Sequence, residues 1–401
     1  MKYRRFGSTD LDVSVIGLGC QSLGGGLYHR DHAQSERVLR EAVDAGVTFF
    51  DVSDHFSMGD AERVMGRTLK GVRDRIVLTT KAGYQYAPAA RVALRLRGVS
   101  RPFSNLLKPA KSSLHRFRLA QGRFNYEPRY LVNAVENSLR RLQTDRLDLL
   151  QLYKPPRDLL TSDAVYEPLE KLRSQGKIRY YGVACVSVAD AMTALRHSGN
   201  AAVQVAINCL EQVGVGELLA EAARKGMAVI ARSPRATGLL TDSHEDLMGD
   251  SAAYAMQQTT RLEAARRLRG LIRRDRTLAQ AAIQFVLGLD GVTVVIPRAV
   301  SAAELHENLG SLNAPALSTE DQVLIASIRS TVDGLGAPRA SRRLIGARAT
   351  TRQPRHPRAA RRWSAPMRVP LAPLARSRQA HVRSGSGNPE RLDSRGAAPR
   401  W

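Results

Sequence analysis

The chain contains few cysteines and no long apolar run. Its 401 residues include 3 cysteines, Cys20, Cys185 and Cys209, an odd number at wide spacing with no C-x-x-C pair. This pattern is typical neither of a disulfide framework nor of a thiolate metal site, and it favours a reduced, cytoplasmic setting. The basic N-terminus is not followed by an apolar segment, which argues against secretion, and nothing in the sequence indicates a membrane span.

Acidic residues are also scarce, with 37 Asp and Glu against 61 Lys and Arg and a formal net charge of +24. The excess charge is unevenly placed. Residues 339–401 hold sixteen arginines and two acids, and residues 84–128 hold nine cations and one acid. The rest of the chain is close to neutral, so it lacks a broad phosphate-binding face, and nucleic-acid binding is the least favoured function class.

The two basic segments fall outside the regular pattern of the chain. Residues 338–401 are rich in Arg and Pro without a helical or strand period, which predicts a disordered tail. Out-of-frame reading of a GC-rich gene and a basic nucleic-acid arm are the alternatives. Residues 84–128 mix cations with aromatic residues in an insertion, either a lid that attracts an anionic substrate or partner, or a disordered loop.

A chain of 401 residues with 43% hydrophobic content can bury one large core. After a predicted hairpin over residues 1–13, apolar strands alternate with amphipathic helices such as Leu131–Leu142, Val215–Arg224 and Leu278–Leu287. The predicted strands are 14–19, 47–51, 76–80, 147–152, 178–183, 202–207, 227–232 and 291–296. Eight such units predict an α/β fold, a parallel (β/α)8 TIM barrel over residues 1–330. An open doubly wound sheet would need a G-x-G-x-x-G turn, which the sequence after Gly17 does not provide.

Polar residues follow the predicted strands, at the end of a barrel where catalytic groups lie. They are Cys20, Asp51, Lys81, Tyr153, Ala184-Cys185, Asn208, Arg232 and Arg298. Asp51 and Lys81 end two neighbouring strands, and each provides the partner that a buried charge requires. The pair is either an ordinary ion pair at the rim of the barrel or part of a catalytic site.

A set of motifs in chain order resembles a known family. The motifs are Lys2-Tyr3-Arg4-Arg5-Phe6-Gly7, Phe50-Asp51, Thr79-Thr80-Lys81, Leu147-Asp148-Leu149-Leu150-Gln151-Leu152, Gly182-Val183, Gln204, Ser233-Pro234, Gly238-Leu239-Leu240, Val295-Ile296-Pro297 and Glu307-Asn308. Over residues 1–330 the chain resembles the aldo-keto reductases, barrel enzymes that move hydride from NADPH to a carbonyl group. The resemblance implies an NADPH-dependent oxidoreductase that acts on a small carbonyl compound or its alcohol.

The chain departs from the catalytic Asp, Tyr, Lys and His that this resemblance implies. Asp51 and Lys81 occupy the Asp and Lys positions, but Phe56 occupies the Tyr position and Tyr153 the His position. Because a phenyl ring cannot donate a proton, we expect Tyr153 to be an altered proton donor whose phenolate Lys81 favours. His55 is a weaker candidate. The alternative is a degenerate barrel with a binding or regulatory role.

The resemblance also implies a cofactor site. The family holds the nicotinamide carboxamide with Ser-Asn after the fifth strand, where this chain has Ala184-Cys185. Arg298 is expected to bind the 2′-phosphate of NADPH with the help of the helix that begins at Ser301, unless it is only a solvated surface charge. The expected cofactor-binding residues are Gln204, Arg232, Ser233, Arg298, Glu307 and Asn308.

Overall fold

Twelve strands lie in the part of the chain that this computed structural model describes, residues 1–24, 31–86, 122–242 and 252–333. They are β1 (Tyr3–Arg5), β2 (Asp12–Ser14), β3 (Leu18–Gly19), β4 (Phe49–Asp51), β5 (Val77–Ala82), β6 (Tyr84–Tyr86), β7 (Gly122–Phe124), β8 (Leu147–Tyr153), β9 (Ile178–Ala184), β10 (Ala202–Ala206), β11 (Ala228–Arg232) and β12 (Val292–Ile296). Eight of them form one parallel sheet in the order β3-β4-β5-β8-β9-β10-β11-β12. Parallel bridges from Ile16 to Val295 and from Gly19 to Arg298 join its two edges. The sheet therefore closes into the predicted TIM barrel.

Two strands differ from their predicted bounds in an informative way. The apolar run 14–19 is divided, because Ser14 ends β2 in an antiparallel pair, whereas Leu18–Gly19 pairs with β4 in the barrel. Strand β5 continues past its apolar run, since Lys81 pairs in register with Gln151 of β8. Lys81 therefore lies inside the strand rather than after it, and its side chain points to the same side as Thr79.

The N-terminal hairpin covers the amino ends of the barrel strands. Strands β1 and β2 pair antiparallel, which confirms the predicted hairpin. Phe6 and Val13 are fully buried and pack with Phe49 inside the barrel. The N–H of Ser8 donates to the carbonyl of Gly226 over 2.7 Å. The hairpin therefore lies away from the carboxyl ends of the strands, where the sequence predicts the chemistry.

Eleven α-helices lie in the described part of the chain. They are α1 (His32–Asp44), α2 (Asp60–Leu69), α3 (Pro128–Leu142), α4 (Arg157–Leu160), α5 (Asp163–Ser174), α6 (Val188–Ala194), α7 (Val215–Arg224), α8 (Ala252–Leu268), α9 (Leu278–Leu287), α10 (Ala302–Gly310) and α11 (Thr319–Asp333). Capping boxes at Ser187 and Thr277 begin α6 and α9. Leucines such as Leu39, Leu131 and Leu169 are fully buried, so the helices pack their apolar faces on the barrel. No helix of the described ranges is both long and apolar enough to cross a membrane.

The described ends of the basic insertion form a second hairpin. Strands β6 and β7 pair antiparallel directly after β5. The hydroxyl of Tyr130 donates to the carbonyl of Tyr84 over 2.9 Å, which ties this hairpin to α3. Residues 87–121 lie outside the described residues, as do residues 338–401, so the predictions for the insertion and the tail remain predictions.

Candidate active site

A cavity of about 310 Å³ opens at the carboxyl ends of the barrel strands. This is the end at which the sequence predicts the chemistry, because the residues just past each strand converge there. The cavity is lined by residues that include Asp51, Phe56, Lys81, Tyr153, Lys154, Ala184, Cys185, Gln204, Arg232, Ser233, Arg235 and Arg298.

An ion pair lies at the floor of this cavity. The ammonium of Lys81 is 2.5 Å from Asp51 Oδ2 and donates also to the carbonyl of Val52 over 3.0 Å. Asp51 is 4% exposed and Lys81 2% exposed. Both side chains point inward because Asp51 pairs in register with Thr79, two residues before Lys81 on the same side of β5. Removing either partner would leave an uncompensated buried charge.

Two buried amides complete the hydrogen bonds of Asp51. Gln151 Nε2 and Gln204 Nε2 both donate to Asp51 Oδ1, over 3.0 and 2.9 Å. Gln151 also donates to Thr79 Oγ1, whereas its own Oε1 is buried without a partner in the described residues. The carboxylate is thus held by three donors, and the amide nitrogen of Gln204 is already engaged. Sequence reasoning placed Gln151 within a family motif but gave it no role in the site, although a polar residue two positions before Tyr153 in an apolar strand was a usable signal.

Phe56 lies next to the ion pair. The Lys81 ammonium is 5.2 Å from the centre of the Phe56 ring. The following residues, Ser57 and Met58, have φ of 50° and 56°, in the left-handed region that costs a residue with a side chain about 1–3 kcal/mol. The structure therefore holds a phenyl ring, which has no hydroxyl, beside the lysine.

Tyr153 lines the same cavity in an aromatic setting. Its ring centroid is 4.3 Å from that of His55, and the Lys154 ammonium lies 5.0 Å from the ring centre. No group in the described part of the chain hydrogen-bonds the Tyr153 hydroxyl. Burial raises the pKa of this hydroxyl, and the charges of Arg232 and Lys81 oppose that effect without reversing it. The expectation that Lys81 favours the phenolate underestimated the cost of burying that anion.

His55 points into the same aromatic cluster. Its Nδ1 lies 2.6 Å from Ser53 Oγ, and the imidazole is 12% exposed. Burial lowers the pKa of His55, although the neighbouring carboxylate of Asp54 acts in the opposite direction. The side chain is therefore mostly neutral at neutral pH.

Lys154 is a cavity residue that sequence reasoning missed. It has φ of 52°, and its N–H donates to the Ala184 carbonyl over 2.8 Å. Its own carbonyl accepts a hydrogen bond of 2.9 Å from the Tyr126 hydroxyl. Burial, together with the charge of Arg232, lowers the pKa of Lys154 to about 8. A charged residue directly after a buried strand is the signal that identified Asp51, and it applies here as well.

Arg298 also lines the cavity. Its carbonyl accepts hydrogen bonds from Arg235 and Asn308, over 2.8 and 3.0 Å. Its side chain is exposed, and no acid of the described residues pairs with it. The helix after it begins at Ser301 as expected, but Glu304 accepts from the N–H of Val300 rather than from that of Ser301. Only half of the expected capping box is formed, because Glu304 also faces the Arg235 guanidinium at 3.4 Å.

The loop after β11 has an unusual backbone. Ser233, Ala236 and Thr237 all have positive φ, of 56°, 47° and 61°. Such conformations persist where the surrounding structure enforces them, and they are frequent at ligand-binding loops. Part of that enforcement comes from Asn208, whose side-chain amide donates to the Ser233 carbonyl over 3.1 Å.

Most of the residues that the sequence proposes come together in one cavity. Asp51, Lys81, Tyr153, Gln204, Arg232, Ser233 and Arg298 all line it. Asn308 and Glu307 do not. Asn308 is buried and supports the backbone of Arg298. Glu307 contributes its carbonyl to a hydrogen bond from Gln280.

Comparisons with known proteins agree with this architecture. A model of the aldo/keto reductase family matches residues 15–330. An uncharacterized oxidoreductase of Bacillus subtilis is 28% identical over 324 residues, 80% of this chain and 94% of that protein. The holo form of an aldo-keto reductase from Bacillus halodurans has a TM-score of 0.64 and 27% identity, over 82% of this chain and 96% of that one. An aldo/keto reductase from Klebsiella pneumoniae, in complex with NADP and acetate, has a TM-score of 0.56 and 26% identity, over 82% and 95%.

Proposed function

The chain belongs to the aldo/keto reductase family, and on this basis we propose that it is an NADPH-dependent oxidoreductase that interconverts a small carbonyl compound and its alcohol. The observation that carries the proposal is the buried pair of Asp51 and Lys81, 2.5 Å apart. The pair lies in the same cavity as Tyr153, the candidate proton donor, and Arg298, the candidate phosphate ligand.

The residues at one end of the cavity fit the phosphates of NADPH. The Arg298 side chain is exposed and has no acid partner in the described residues, while its backbone is fixed by Asn308 and Arg235. A planar guanidinium binds a phosphate with two parallel hydrogen bonds, so Arg298 would hold the 2′-phosphate. The positive-φ loop at Ser233 adds backbone groups of the kind that form anion-binding concavities. When bound, NADPH supplies the hydride.

The nicotinamide end offers fewer contacts. The side chains of Ala184 and Cys185 provide no amide or hydroxyl for a carboxamide group. Gln204 gives its amide nitrogen to Asp51, and its oxygen accepts no hydrogen bond from the described residues. That oxygen is the available acceptor for a carboxamide N–H, and Arg232 lines the same part of the cavity.

Tyr153 is the proposed proton donor. A donor must carry its proton when the substrate binds, and burial, which raises the pKa of the Tyr153 hydroxyl, meets this requirement. As the carbonyl carbon gains hydride, its oxygen gains negative charge and takes the Tyr153 proton. The phenolate that remains is stabilised by the charges of Arg232 and Lys81, and Asp51 holds Lys81 in place.

A binding or regulatory role is the second candidate. Within the described residues, no hydrogen bond joins the Tyr153 hydroxyl to Lys81, and Phe56 places a ring without a hydroxyl beside that lysine. A barrel with these features could bind NADPH and a small molecule without transferring hydride.

The test is a titration of the full chain with NADPH, followed by a screen of aldehydes and ketones for loss of NADPH absorbance. We expect saturable binding and oxidation of NADPH by at least one carbonyl compound. Asp51→Asn is a matched variant of similar volume that removes the charge fixing Lys81, and it should lower turnover by about 10-fold or more while NADPH still binds. Tight NADPH binding without reduction of any carbonyl compound would support the binding role instead.

A further inference from the structure

Apart from Arg298, which is assigned to a phosphate of NADPH, two cations in the cavity have no acid partner among the described residues, Lys154 and Arg232. Asp51 is the one acid among the described residues that line the cavity, and it is already paired with Lys81. Arg235 faces Glu304 at 3.4 Å. The guanidinium of Arg232 donates to the carbonyl of Cys185 over 3.1 Å, a contact that leaves its charge uncompensated.

These two cations are anchored to adjacent residues of the barrel. The N–H of Lys154 donates to the carbonyl of Ala184, and Arg232 donates to the carbonyl of Cys185, the next residue. Ala184 itself pairs in register with Tyr153. Lys154 and Arg232 are thereby brought to the same part of the cavity, beside the Tyr153 ring.

The backbone of Lys154 is held in a conformation that a lysine does not prefer. Its φ of 52° lies in the left-handed region, which costs conformational energy for a residue with a side chain. The hydrogen bonds to Ala184 and from Tyr126 clamp it on both sides. The side chain of Lys154 is half-buried, and its ammonium lies 5.0 Å from the centre of the Tyr153 ring.

Burying cations close together without an anion is unfavourable. The effect appears in Lys154, whose pKa falls to about 8 through burial and the nearby charge of Arg232. An anion bound between the two cations would remove that penalty. The phosphates of NADPH are assigned to Arg298 and the Ser233 loop, so they do not supply it.

We propose that Lys154 and Arg232 form a subsite for an anionic group, a carboxylate or a phosphate, carried by the carbonyl substrate. This assignment rests on the proposed reductase function and narrows its substrate class to carbonyl compounds with a negative charge near the reacting carbon. Lys154 is then a residue that determines specificity.

The test compares matched substrates in the presence of NADPH. Succinic semialdehyde and butanal differ by a carboxylate, and glyceraldehyde 3-phosphate and glyceraldehyde differ by a phosphate. We expect kcat/KM to favour the charged member of at least one pair, which identifies the anion. Lys154→Met, which keeps the apolar stem, should reduce that preference by about 10–100-fold, mainly through KM, the scale of a charge-assisted contact.

Arg157→Gln is the matched control, because Arg157 lies on α4 near the same strand end, pairs with Asp190 and does not line the cavity. It removes one positive charge and should leave the preference unchanged. An equal loss in both variants would overturn the subsite, since it would indicate general attraction by positive charge. Equal kcat/KM for the charged and neutral members of both pairs would overturn it as well.

A binding measurement separates this proposal from the reductase proposal. Calorimetric titration of the NADP-loaded chain with succinate and with inorganic phosphate should show binding of one of these anions that Lys154→Met weakens by about 10-fold or more. Such binding with no turnover of any aldehyde would support the anion subsite and contradict the reductase function. Turnover of neutral aldehydes without anion binding would support the reductase function and contradict the anion subsite.

Discussion

The ring of Tyr153 lies against the imidazole of His55, with 4.3 Å between centroids and 42° between the ring planes. These two residues are the alternative proton donors, and burial affects them in opposite ways. It raises the pKa of the Tyr153 hydroxyl, which keeps its proton, and lowers the pKa of His55, which tends to lose one. The opposite effects of burial on these two pKa values therefore favour Tyr153 as the acid in carbonyl reduction.

Replacement of Tyr153→Phe should lower kcat by about 10² or more, because the proton donor is lost while the ring and its packing remain. The Kd for NADPH should change little. Adding Phe56→Tyr to this variant places a hydroxyl beside Lys81 and should recover activity. Full turnover in Tyr153→Phe, with a large loss in His55→Gln, would assign the proton to His55 instead.

Replacement of Arg298→Ala should reduce the preference for NADPH over NADH by about 1–3 kcal/mol, the scale of a hydrogen bond to a charged group. The reason is that the exposed Arg298 guanidinium is free to bind the extra phosphate of NADPH. The measurement is the Kd of each cofactor by fluorescence titration. Arg75→Ala is the control, since Arg75 is exposed just before the amino end of β5 and should not affect the preference. Equal affinity of the unmutated chain for the two cofactors would contradict the assignment.

The sequence predicted the barrel well because its strands are apolar and alternate with amphipathic helices, a pattern that depends on local residues. It predicted Asp51 and Lys81 for a related reason, since a charge at the end of an apolar run needs a partner. The predicted strand bounds were wrong where the strand assignment depends on which other strand the segment pairs with. The run 14–19 reads as one strand, but Ser14 pairs in the N-terminal hairpin, which no local pattern specifies.

The hydrogen bonds within the site also could not be predicted from the sequence. Gln204 was expected at the nicotinamide end, and no local pattern indicated that its amide nitrogen also donates to Asp51. This contact joins β10 to β4 across the interior of the barrel, so it depends on how the strands close. Lys154 follows an apolar strand as Asp51 does, but the position of its ammonium near the Tyr153 ring accompanies a positive φ, which is uncommon for lysine.

The buried charge of Lys154 should make stability depend on pH in a defined direction. Its pKa is about 8 in the folded chain and 10.5 in the unfolded chain, so between these values the unfolded chain binds more protons. The contribution of Lys154 to the free energy of unfolding therefore rises as pH increases from about 8 to 10.5, and the burial penalty is complete below that window. The effect should be clearest when no anion is present to pair with the ammonium.

Lys154→Met should accordingly be more stable than the unmutated chain at neutral pH, and this advantage should shrink as the pH approaches 10.5. The measurement is urea unfolding of both proteins across this range in a buffer without carboxylate or phosphate. All other titrating groups are shared, so their effects cancel in the difference. Lys171→Met, at an exposed position on α5, serves as the control and should show a difference that does not vary with pH. A constant difference for Lys154→Met as well would mean that its ammonium is not buried unpaired, and it would remove the electrostatic reason for an anion beside Tyr153.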